Sequence, residues 1–254
     1  MLFRSFSPKV RNTVAFHEAG HAVIGIKLKD ANIVEKVTII PRGKAGGYNL
    51  MLPSEEQTYL STKDNLLDQI TGLLGGRVAE EIVFDEVSTG AQNDLQKSTA
   101  IARSMVTEYG MSENLGPVTY EHDTGTVFLG RDYAKDKNFS EAVAMEIDKE
   151  IRNIIGSCHD KATEIINKNI DLLKLIAHYL LEVETLTRQD IDEIVSTGRL
   201  ARWDDRKPES AGGTTIEEPG EANPEDGEDK SANPETPDTP DTPDKKDDPD
   251  NTEK

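Results

Sequence analysis

The sequence predicts a mostly α-helical domain over residues 1–202 with one small β-sheet, followed by a disordered acidic tail over residues 203–254. Apolar residues recur at helical spacing in long stretches, most of them opened by a Ser or Thr in a capping position. A β-branched run appears in only one place, residues 34–40, just before a Gly-rich turn and a second short apolar run. Beyond residue 203 apolar side chains nearly vanish while Pro, Asp and Glu accumulate.

Ser7-Pro8 reads as an N-cap with proline at the first helical position, where its missing N–H costs nothing. The helix it opens should run to about Leu28. Its residues Val14, Ala15, Phe16, Ala19, Ala22, Val23, Ile24 and Ile26 are too apolar for a surface helix, so burial is expected. Residues 34–40 and 48–52 then form a hairpin around the glycines of the intervening turn. Ser61 is the expected cap of a helix over 62–83. Gly72, Gly75 and Gly76 lie inside it, each costing up to ~1 kcal/mol relative to alanine, a cost that close approach of a neighbouring helix would offset. Further helices are expected over 92–109, from Ser140 to 168, over 171–184, and from Thr187, where Asp190 completes a short capping box. Residues 110–131 read as irregular, with short extended pieces.

The charge is unevenly placed. Residues 204–254 hold 18 Asp and Glu against 6 Lys and Arg, a net charge of −12 out of −19 for the 254-residue chain, and eight of the 12 prolines. Such a segment cannot bury enough surface to offset its ordering entropy. Neither part is basic, which excludes a protein built to neutralise nucleic-acid phosphates. A single cysteine, Cys158, excludes a disulfide framework and a Cys-rich metal site, and its helical setting suits a small packed residue rather than a catalytic thiol. No apolar run approaches the ~20 residues that span a bilayer, and residues 1–10 lack a signal-peptide pattern. The chain is therefore expected to be soluble, and its abrupt start before a helix suggests a piece of a longer protein.

The chemistry concentrates in His17-Glu18-Ala19-Gly20-His21. Histidines four apart on a helix share one face, about a turn from one another, so two imidazole nitrogens can approach one metal ion. Glu18 is rotated off that pair, where its carboxylate can act as a general base toward water instead of as a ligand. Two of the chain's five histidines fall here, in apolar surroundings that two unpartnered imidazoles would not favour. The pattern points to zinc, one ion per chain, held in a zincin-like site.

Zinc needs a third protein ligand. His122, His159 and His178 belong to no motif, Glu35 is poorly placed on the strand, and no histidine follows His21 at short range. Spacing leaves two possibilities open: Glu80 or Glu81 late in the glycine-containing helix, or Asp94 in the first turn of the next, where the helix N-terminus favours a carboxylate.

The segments Phe16-His17-Glu18-Ala19-Gly20-His21-Ala22, Leu74-Gly75-Gly76-Arg77-Val78-Ala79-Glu80-Glu81 and Thr89-Gly90-Ala91-Gln92-Asn93-Asp94-Leu95, with Tyr109-Gly110-Met111-Ser112 and Leu115-Gly116, resemble the protease domain of the FtsH family. These are membrane-anchored, ATP-dependent zinc metalloproteases. The resemblance is collinear from about Lys9 to Ile194 and does not reach the tail. It implies that His17, His21 and Asp94 hold the zinc, that Glu18 is the catalytic glutamate, and that Glu80 orients a ligand without binding the ion. It also implies that Gly47, Tyr48 and Asn49 belong to a strand that pairs with extended substrate. The resemblance further implies unfolded polypeptides as substrates, a homo-hexameric ring, and a place on the cytoplasmic side of the cell membrane. The membrane contact would come only through upstream segments, as would the ATPase, since no phosphate-binding loop occurs here.

Overall fold

A computed structural model describes residues 7–28, 32–43, 46–53, 60–120 and 139–206. The first helix, α1 (Pro8–Lys27), is its axis. Ser7 caps it by accepting from the Val10 N–H, with proline in the first turn. All ten residues from Ala15 to Ile24 are buried, which is the outcome for a helix apolar on every side. α2 (Lys63–Phe84) crosses α1 at two glycines. A Cβ on Gly20 would lie 2.3 Å from the Gly75 carbonyl oxygen, and one on Gly75 would lie 2.8 Å from that of Gly20. The expected close approach therefore holds for Gly75, and its partner is the glycine inside the histidine motif. Gly72 is different: a Cβ there would meet nothing within 4 Å.

Strands β1 (Ile33–Thr38) and β2 (Tyr48–Leu52) form the expected antiparallel hairpin. The register slips between Val34 and Lys36, leaving Glu35 as an extra residue whose carboxylate accepts from Arg188 at 2.9 Å. A third strand, β3 (Thr185–Thr187), pairs with the other side of β1, giving the order β2-β1-β3 with β2 at an edge. Just past β1, the Ile39 N–H continues this contact to the Glu184 carbonyl.

The cap of α2 is Thr62 instead of Ser61. Thr62 and Asn65 exchange backbone and side-chain bonds in a capping box. After a 3₁₀ turn at Thr89–Ala91 come α3 (Gln92–Thr107), α4 (Glu141–Lys168), capped by Ser140 as expected, and α5 (Ile170–Val183). Next are α6 (Arg188–Thr197), with the expected Thr187–Asp190 capping box, and a last turn, α7 (Ala201–Asp204). Residues 110–120 are irregular and carry no strand. Glu150 of α4 anchors them by accepting from Ser112 Oγ at 2.9 Å and Asn114 Nδ2 at 2.5 Å. The rest of the expected irregular stretch, 121–131, lies outside the described residues, as does most of the acidic tail.

Two apolar cores flank α2. One joins α1 and β1 to α5, β3, α6 and Leu200. The other packs Leu66, Ile70 and Leu74 of α2 against α3 and α4, and contains the buried Cys158. α7 is tied down by charge and hydrogen bonding: Arg202 grips the Asp190 carboxylate through Nε at 2.5 Å and Nη2 at 3.0 Å, and Tyr179 donates to Asp204 at 2.7 Å. Trp203 packs against the first core. Among the described residues no helix is long and apolar enough to cross a membrane.

Candidate metal centre

His17 and His21 lie on one face of α1 with Nε2 atoms 3.1 Å apart. The first turn of α3 brings Asp94 Oδ2 to 3.5 Å from His17 Nε2 and 3.4 Å from His21 Nε2. With metal–ligand bonds of about 2.0–2.1 Å, two donors at a tetrahedral angle stand about 3.3 Å apart. The three separations therefore match three edges of one zinc tetrahedron.

The other imidazole nitrogens are already engaged. His21 Nδ1 lies 2.8 Å from the Gly72 carbonyl. A carbonyl can only accept, so Nδ1 carries a hydrogen and Nε2 is the nitrogen left to face a metal ion. His17 Nδ1 lies 2.7 Å from Glu80 Oε1. Burial opposes ionisation of Glu80, but bonds from His17 and from the Ser88 hydroxyl and N–H outweigh it and hold the carboxyl below its ordinary range. As an anion it accepts the Nδ1 proton and leaves Nε2 of His17 facing inward. Glu80 also receives the Ser88 N–H at 2.7 Å and its hydroxyl at 3.0 Å, so one carboxylate fixes a histidine and the loop leading to Asp94.

Gly76 completes the cradle. A Cβ there would lie 2.5 Å from His17 Nε2 and 2.6 Å from His21 Nε2, so the missing side chain leaves room where the ring nitrogens converge. The donor set of two imidazoles and a carboxylate, with that space between them, fits a zinc ion.

Burial alone would lower the pKa of His17, but the hydrogen bonds to Asp94 and Glu80 and the charge of Glu18 prevail and raise it to about 9. Burial pushes Asp94 the other way, yet the two histidines hold its carboxyl far below the usual range. Glu18 is buried beside this cluster and outside the donor triangle. Burial raises its pKa, against the opposing pull of both histidines and of an Asn49 hydrogen bond. A carboxylate that holds protons more readily than usual suits proton transfer near neutral pH.

Gly47, Tyr48 and Asn49 line the same cleft, of about 1050 Å³, as His17, Glu18, His21 and Asp94. A Cβ on Gly47 would lie 2.8 Å from Glu18 Oε1. Asn49 Nδ2 bonds Glu18 directly, and Tyr48 lies under Lys36 at 5.9 Å. Glu81 points elsewhere, bridging Arg77 at 2.6 Å and His159 at 2.8 Å. His178 lies tilted beside Tyr179, with ring centroids 5.4 Å apart, and His122 lies outside the described residues. The Gly72 carbonyl, Gly76 and Ser88 escaped sequence reasoning as site components. The glycines inside α2 were the visible signal, but it indicates crowding without naming the neighbour.

The profile of Peptidase family M41 matches residues 4–194. A protein of Acholeplasma laidlawii (strain PG-8A), named ATP-dependent zinc metalloprotease FtsH, is 60% identical over 206 residues, covering 81% of this chain and 32% of the relative. Relatives of the same name from Bacillus subtilis (strain 168) and Aster yellows witches'-broom phytoplasma (strain AYWB) are 56% identical over 198 residues and 55% identical over 207. They cover 78% and 82% of this chain, and 31% and 29% of the relatives. The chain thus spans about a third of the length of the curated relatives it matches. With the motifs, the helical fold and the profile in agreement, the chain belongs to Peptidase family M41.

Proposed function

We propose that this chain is a zinc metalloendopeptidase domain that hydrolyses unfolded polypeptides, with His17, His21 and Asp94 holding one zinc ion and Glu18 as general base. The observation that carries the reading is the convergence of two Nε2 atoms and one Asp94 oxygen, all within 4.8 Å of one another, with Glu18 adjacent but outside the triangle. Zinc, when bound, supplies Lewis acidity toward a peptide carbonyl and a water molecule.

The protein's own groups do the rest. Glu80 and the Gly72 carbonyl fix the tautomers of the two histidines and orient their rings. Glu18 takes a proton from the attacking water and returns it to the leaving amine, as a carboxylate of raised pKa can. Gly47, with Tyr48 and Asn49 of the edge strand that follows it, aligns an extended peptide through main-chain hydrogen bonds, which read little of its side chains. Residues 1–202 form this catalytic domain, which Trp203 and Asp204 extend through the packing and hydrogen bonding of α7, and the acidic residues that follow act as a solvated tail. In the longer protein, ATP-driven unfolding would feed the site, six copies would form a ring, and upstream segments would anchor it at the cytoplasmic side of the cell membrane. The acidic chain leaves nucleic acid out as a partner.

The test is degradation of unfolded casein without ATP by wild type and Glu18→Gln, with bound zinc quantified in both. Cleavage by wild type alone, with one zinc per chain in each protein, is the expected result. Cleavage by a zinc-loaded Glu18→Gln protein would remove the base from Glu18.

A further inference from the structure

Asn49 stands at the second position of β2, paired with Val37 of β1. Alternation along the strand sends Asn49 and Met51 toward α1, where Met51 joins the first core. Leu50 and Leu52 face away and are 44% and 46% exposed. The amide nitrogen of Asn49 makes two contacts, both to one residue. It donates to the main-chain oxygen of Glu18 at 3.1 Å and to its side-chain Oε2 at 2.5 Å. An amide nitrogen has two hydrogens, and these two bonds use both. They tie the Glu18 carboxylate back to its own backbone, restricting a side chain that otherwise has three free torsions. The Gly47 backbone also closes in, since a Cβ there would lie 2.9 Å from Glu18 Cγ. No donor among the described residues is bonded to Oε1.

We propose that Asn49 is a positioning residue for the general base: its amide holds Oε2 of Glu18 and leaves Oε1 as the working oxygen. The inference rests on the peptidase reading above and adds a second duty to β2. Its main chain aligns the substrate, while its inward side chain aims the base, so strand and base move as one piece. A peptide pairing with β2 is thereby registered against the oxygen that must take the proton. Misplacing a reacting group by about 1 Å can cost as much as a hundredfold in rate.

The experiment compares wild type, Asn49→Ala and the nearly isosteric Asn49→Asp on an unstructured fluorogenic peptide, with zinc content and thermal midpoint measured on each. Peptide affinity is measured separately in Glu18→Gln and in Glu18→Gln/Asn49→Ala. Expected are a kcat lower by about tenfold or more in both variants, KM within about twofold, one zinc per chain, and equal peptide affinity in the two Glu18→Gln proteins. A kcat within twofold of wild type in the folded Asn49→Ala or Asn49→Asp protein overturns the proposal. So does a loss carried entirely by KM and by peptide affinity, which would make Asn49 a support of the strand alone. A zinc-loaded wild type that cuts nothing removes the peptidase reading and this proposal together, whereas an active wild type with unaltered Asn49 variants removes only the second.

Discussion

Gly76 and His17 share one small volume: a Cβ added to the glycine would sit 2.5 Å from the imidazole Nε2. The His21 Nε2 would be 2.6 Å from the same point. The contact is at the donor atoms themselves, within a buried helix crossing, so the rings could yield only by leaving their places. Gly76→Ala should therefore keep the helical fold and lose zinc affinity by at least about tenfold, an effect of the size seen when a ligand's support is disturbed. Equilibrium zinc binding with far-UV circular dichroism checks it. Unchanged affinity would show that the rings have room that the structure denies them.

Glu80→Gln should weaken zinc binding by about 10–100-fold. Glu80 accepts from His17 Nδ1 and from both Ser88 donors through its two oxygens, whereas an amide has one accepting oxygen and would set its NH₂ against one of the donors. Asp94→Asn, which alters a proposed ligand, should cost more. Competition with a chelator ranks the two, and a larger loss in Glu80→Gln would reverse their roles.

Gly20→Ala should destabilise the fold by about 1–3 kcal/mol or more, because the clash is with the Gly75 backbone carbonyl and no rotamer can relieve it. Gly72→Ala should leave stability near wild type or raise it by up to about 1 kcal/mol, since the space beside it is open. Urea midpoints of the two variants test the contrast, which would fail if both moved alike.

Asp190 gives a pH dependence of defined sign. Burial opposes its ionisation, but the Arg202 guanidinium and the Thr187 donors hold its carboxyl below the ordinary range. A carboxyl lowered in the folded state contributes stability above its unfolded pKa of about 3.9, and that contribution disappears as pH falls through the folded value. Asp190→Asn should therefore cost about 1–3 kcal/mol at pH 7 and progressively less below pH 4. Denaturant unfolding of both proteins at pH 7 and at pH 3 measures it, and a difference that stayed constant would locate the effect elsewhere.

What the sequence disclosed was local. Ser7-Pro8, Ser140 and Thr187 with Asp190 act within four residues, and each cap stands where its spacing places it. Thr62 displaced Ser61 as a cap because either can accept, and the reciprocal bond to Asn65 decides between them. The strand at Thr185–Thr187 was hidden because three residues have no periodicity of their own and owe their conformation to β1, far away in sequence. At the site, spacing alone left Glu80, Glu81 and Asp94 open. Their directions depend on how α1 crosses α2 at Gly20 and Gly75, and on where the turn after Ser88 points α3. Those are tertiary facts. Only the family resemblance singled out Asp94, and the geometry places it, not Glu81, beside both ring nitrogens.

The way α1 is buried has a bearing on biosynthesis. Its histidine motif is complete by residue 21, yet the core that encloses it includes Leu173, Ile176, Leu180, Leu186, Ile194 and Leu200. A ribosome delivers those residues after the motif, so the growing polypeptide carries the motif for about 150 residues of synthesis without the surfaces that order it. Arrested nascent chains ending before residue 170 should leave α1 open to added protease, and chains extended well past residue 206 should protect it. Such an order of assembly would keep the candidate metal centre unformed until the polypeptide around it can fold.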